Sequence, residues 1–69
     1  MNKEQLTKLF DILFDENRNI KDIENKKEQL SEFCYLLNLI TGIQCYDARG
    51  GLYSYWYSIY LSALDFLDE

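Results

Sequence analysis

A chain of 69 residues with 48% hydrophobic and 28% charged side chains has the composition of one small globular domain, residues 1–69, not of a disordered tail. Its net charge of −5, with only seven basic residues, excludes a surface built to neutralise nucleic-acid phosphates. With no histidine, no side chain titrates near neutrality and neither a Ser-His nor a Cys-His nucleophile can be assembled, while two cysteines are too few for a four-ligand zinc site. No enzymatic activity, cofactor or metal is expected.

The opening segment "MNKEQLTKLF" places Lys3, Glu4 and Lys8 ahead of no continuous apolar stretch, so it does not resemble a secretory leader. Polar residues interrupt the apolar stretches 33–43 and 52–67, and both fall short of the ~18 residues that suggest a bilayer span. The acidic balance also opposes the Lys- and Arg-rich polar face of a helix lying on a membrane. A cytoplasmic protein with no membrane and no direct nucleic-acid contact is expected.

The first helix is predicted over about 3–15. Leu6, Leu9, Phe10, Leu13 and Phe14 share one face opposite Glu4, Lys8, Asp11 and Asp15, and Asn2 with Gln5 resembles an N-terminal capping pair. The polar run "DENRN", 15–19, is a turn. Asn19 or Asp22 then caps a second helix over about 20–41, with Ile20, Ile23, Leu30, Phe33, Cys34, Leu37 and Ile40 on its buried side. Gly42, able to take the left-handed conformation found beyond helix ends, should terminate it.

The first half of that helix is nearly all charged or amide and must face water. Glu24, Glu28 and Glu32 make a stripe of like charges at i, i+4 and i+8, which costs a helix roughly a few tenths of a kcal/mol per pair. Such a stripe can imitate DNA toward a DNA-binding protein, although Lys21, Lys26 and Lys27 interleave with it and break the negative field. A solvated face is the plainer explanation.

The long loop "GIQCYDARGG", 42–51, has two glycines ahead of a helix but lacks the spacing of a phosphate-binding loop. Cys34, on an apolar helix face, is expected to be buried and reduced. Cys45, in the loop, is expected to be an accessible free thiol, and no secretory context favours pairing the two.

Tyrosines and serines in the closing segment suggest a strand, but the polar positions decide otherwise. Ser54, Ser58, Ser62, Asp65 and Glu69 recur every three or four residues and predict a third helix over about 52–67. Leu52, Trp56, Ile59, Tyr60, Ala63 and Leu67 form its core arc, and Asp65, Asp68 and Glu69 should be solvated. Tyr53, Tyr57, Leu61 and Leu64 make a second stripe beside the arc, and Tyr55 with Phe66 flanks the other edge.

The expected fold is therefore all-α, a small three-helix antiparallel bundle. Its third helix carries more aromatic surface than one bundle can bury, and such residues are enriched in interface hot spots. Arg49, Tyr53, Tyr55, Tyr57, Leu61 and Leu64 are the predicted partner-binding residues. The partner is another protein, for which a basic surface would suit, or a second copy of the chain in a homodimer. The expected function is a non-enzymatic acidic module that docks on and inhibits or regulates a target protein. Richness in Tyr, Asn, Ile and Lys suggests, by compositional analogy, the inhibitor or immunity type encoded by phage or mobile elements. The alternatives are a structural homo-oligomer or assembly subunit, with Ser54, Ser58 and Ser62 allowing close helix contact, and a DNA-mimic inhibitor acting through Glu24, Glu28 and Glu32.

Overall fold

The computed structural model describes residues 3–47 and 51–68. It contains three helices, α1 (Lys3–Leu13), α2 (Lys27–Thr41) and α3 (Trp56–Leu67), with a short 3-10 turn, Ile23–Asn25, ahead of α2. Among the described residues there is no strand, only two isolated bridges, Phe14 with Ile20 and Tyr46 with Leu52. The all-α three-helix bundle is thus realised, with shorter helices than expected.

Each shortened end has a local cause. The last helical bond of α1 runs from the Phe14 amide to the Phe10 carbonyl, after which Phe14 extends to pair with Ile20. A tight turn follows, in which the Asp15 carboxylate accepts the amides of Asn17 and Asn19 at 2.8 and 3.0 Å. The carbonyls orphaned at the C-terminal end of α1 are met by the returning chain: the Lys21 amide bonds Leu13, the Lys21 ammonium bonds Asp11 and the Lys26 ammonium bonds Ile12. Two cations therefore sit at the negative end of the helix dipole.

That return corrects the expected second helix. Residues 20–22 are not helical, because the Lys21 amide is taken by α1 and Asp22 adopts a left-handed conformation, φ 49°. The Asp22 carboxylate accepts from the Asn25 side chain and caps no helix. The expected N-cap at Asn2 lies outside the described residues. At the other end, α2 stops as expected: Gly42 has φ 76° and its amide bonds the Asn38 carbonyl at 2.7 Å. The third helix begins at Trp56, not Leu52, because Leu52 pairs with Tyr46 and the Tyr53 amide bonds the Cys45 carbonyl.

Contacts between the helices set their directions. Lys3 pairs with Asp68 at 2.8 Å while Phe14 meets Trp56, so α1 and α3 run antiparallel. Lys26 reaches Ile12, so α1 is antiparallel to α2 as well. Consequently α2 and α3 run in the same sense, and between them Cys45 and Leu52 pack against the core. The same arrangement places Asp68, expected to be solvated, in an ion pair whose partners are about half exposed, worth at most ~1 kcal/mol.

The core comprises Leu6, Leu9, Leu13 and Phe14 from α1 and its end, Phe33, Cys34, Leu36 and Leu37 from α2, and Ile59, Tyr60 and Ala63 from α3. Cys45 completes it at 0% exposure. The accessible thiol expected in the loop is thus corrected to a core residue, because the return segment inserts it against α2. Interaction with the Cys45 thiol, with burial, pushes the Cys34 thiol far above its ordinary pKa. Both cysteines are unbridged. Neither should react with a bulky thiol reagent in the native protein, and both should react after unfolding; rapid native labelling of Cys45 would contradict this packing. Phe33, also at 0% exposure, packs against the rings of Phe14, Trp56 and Tyr60, so Phe33→Ala should cost about 3–5 kcal/mol in denaturant unfolding.

Candidate functional site

The predicted partner-binding residues do not form one uniform stripe. Tyr53 and Tyr55 precede α3 and stack on each other, ring centroids 5.1 Å apart, with Tyr55 half exposed. Tyr57 is half-buried and belongs to the ring cluster of the core, touching Phe10, Trp56 and Tyr60. Leu64 is likewise half-buried against the core, whereas Leu61 projects outward. Arg49 lies outside the described residues. Glu24 sits on the 3-10 turn, not on α2, where it approaches Lys27 at 3.7 Å, so the acidic stripe on the helix reduces to Glu28 and Glu32.

A different apolar row emerges on α2. Tyr35 and Leu39, 63% and 56% exposed, stand one helical turn apart, and Ile43, 47% exposed, follows just past the helix end. Glu32 and Glu28 occupy the same exposed side of the helix, one and two turns before Tyr35. The signal was present as an i, i+4, i+8 spacing. It was masked because the run Cys34 to Ile40 is apolar almost throughout, and only a wheel centred on Phe33, Leu37 and Ile40 turns Tyr35 and Leu39 outward.

The second feature is a shallow cavity of about 690 Å³ between the end of α1, the following turn and the start of α3. Its aromatic wall is Phe10, Phe14 and Tyr57, and Asp11, Asp15, Glu16, Arg18 and Lys21 surround it. Phe10 stacks on Tyr60 at 4.5 Å and Phe14 on Trp56 at 4.2 Å, so this wall is continuous with the core. The Tyr60 hydroxyl titrates above its ordinary value, chiefly because it is buried and in part because the Asp11 charge lies near.

Arg18 has φ 65°, the left-handed region that asparagine or glycine enters more readily, and its guanidinium lies over the Tyr57 ring, 4.4 Å from the centroid. The turn thus presents a cation to an aromatic face. Among the described residues no three His, Cys, Asp or Glu side chains converge as a metal site, and no helix is long and apolar enough to cross a membrane.

Fold and surface together define a small helical bundle with an outward apolar row on α2 and a charged, ring-walled cavity. Against protein-family models, curated proteins and solved structures the chain has no match.

Arg18→Gly removes the cation–π contact, about 0.5–1 kcal/mol, but relieves a comparable backbone cost, so stability should change by less than ~1 kcal/mol. Arg18→Val, whose branched side chain resists a positive φ, should destabilise by about 1–3 kcal/mol in thermal or urea unfolding. Equal stability of the two variants would contradict the left-handed turn.

Proposed function

We infer that this protein is a non-enzymatic binding module that docks on a target protein and inhibits or regulates it, acting in the cytoplasm. One observation carries the reading: Tyr35, Leu39 and Ile43 are large, exposed and aligned, while the core closes without them. Folding alone does not ask for such a row, and large apolar and aromatic side chains grouped on one face suit a partner. Glu28 and Glu32 beside the row, on a chain of net charge −5, favour a target with a basic surface. The compositional analogy to inhibitor and immunity proteins of phage and mobile elements agrees with this role. The exposed residues of the predicted aromatic end, Tyr55 and Leu61, would add to the contact area.

Solution mass is the first test. A monomer leaves the α2 row free for a target; a stable dimer dissociated by Leu39→Glu would assign the row to self-assembly. Leu39→Glu should leave stability within ~0.5 kcal/mol, as an exposed substitution does, while weakening association with the target by more than ~2 kcal/mol, about thirtyfold. Calorimetric unfolding beside a binding titration separates the two effects. A Leu39→Glu protein that unfolds would show the row to be core, and the reading would fall.

A further inference from the structure

We propose that the cavity beside α1 receives an arginine side chain of the basic target, and that Arg18 holds the place of that side chain in the free protein. This rests on the protein-binding reading and names the chemistry by which the partner is recognised.

The geometry of Arg18 shows that a guanidinium fits. It lies 4.4 Å from the Tyr57 centroid, at the mouth of a cavity walled by that ring, Phe10 and Phe14. A planar, weakly hydrated cation on an aromatic face gains both electrostatic and stacking attraction, which an ammonium matches less well. Charge around the cavity favours the same ligand. Asp11, Asp15 and Glu16 line it, and the side-chain ion pairs among the described residues lie elsewhere, at Lys3–Asp68, Lys8–Glu4 and Lys27–Glu24. Of the two cations present, Lys21 is committed to the Asp11 carbonyl at 3.0 Å, and Arg18 to Tyr57. The C-terminal end of the α1 dipole adds negative potential at the same place. An incoming arginine would therefore meet the ring wall and the carboxylates of Asp11 and Glu16, with Asp15, whose Oδ1 already accepts the Asn17 and Asn19 amides, beside them, at the cost of swinging aside one exposed side chain.

The cavity's other potential ligand class, an anion drawn by Arg18 and Lys21, is disfavoured by the three carboxylates and becomes an outcome of the test. The full chain, labelled with nitrogen-15, is titrated with N-acetyl-arginine amide and, separately, with the corresponding glutamate and norleucine amides. Saturable shifts are expected at the amides of residues 10–18 and at Tyr57 with the arginine compound alone, weakening as ionic strength rises. Arg18→Gly should tighten binding about threefold or more, since an intramolecular competitor is removed, and Asp11→Asn with Glu16→Gln should weaken it several-fold. Shifts caused by the glutamate compound, loss of binding in Arg18→Gly, or no saturable shift with the arginine compound would each overturn the proposal. A target whose binding is lost in Leu39→Glu but unchanged in Asp11→Asn with Glu16→Gln would overturn the cavity assignment and leave the protein-binding reading intact.

Discussion

The packing of aromatic rings around Phe33 is the interaction on which the rest of this domain depends. Phe33 projects from α2 and meets Phe14 at 5.5 Å, Tyr60 at 5.7 Å and Trp56 at 6.0 Å, so one side chain touches the end of α1 and the start of α3. Phe10 on Tyr60 and Phe14 on Trp56 then join α1 to α3 by two near-parallel stacks. A domain of 69 residues buries a smaller fraction of its surface than a larger one and has little stability in reserve. Large rings in offset and edge-on contact give the most apolar area per residue ordered, which suits a chain without a disulfide among its described residues.

Chain direction follows from that arrangement. Bringing Trp56 to the end of α1 requires α3 to start where α2 starts, so the chain must travel back along the bundle between them. The described residues between α2 and α3 fill the core with Cys45 and lay Leu52 against the cluster. The same demand shapes the first connection, where Lys21 and Lys26 reach back to the last carbonyls of α1. That tight return lifts Arg18 over Tyr57 and leaves three carboxylates around a ring-walled hollow. The hollow is thus a by-product of how α1 ends, and the side-chain ion pairs among the described residues lie elsewhere.

The division between core and contact surface runs through individual helices. On α3 the core takes Tyr57 and Leu64 in part and leaves Leu61 and Phe66 outside. On α2, flanked by both neighbours, one side is consumed and the opposite side keeps Tyr35 and Leu39 exposed. The protein therefore offers apolar surface on its central helix as well as at its aromatic end, and both lie on a molecule of net charge −5.

Periodicity alone determined that three helices exist, because the spacing of Ser58, Ser62 and Asp65 and the Leu6, Leu9, Leu13 face report local backbone geometry. Gly42 was legible for the same reason: a left-handed residue after an apolar helix is a local requirement. Trp56, Ile59, Tyr60 and Ala63 could be placed on the inner arc of α3 from the wheel, since the most apolar sector of a helix turns inward in any bundle. The start of α2 at Lys27 depended on hydrogen bonds from Lys21 and Lys26 to a different helix, which no local propensity encodes. Only tertiary structure could decide that Cys45 is core, that Tyr57 lies beneath Arg18 and that Tyr35 and Leu39 face outward. Each of these outcomes is set by which neighbour packs against a segment and in which direction the chain returns, and hydrophobic spacing carries no information about either.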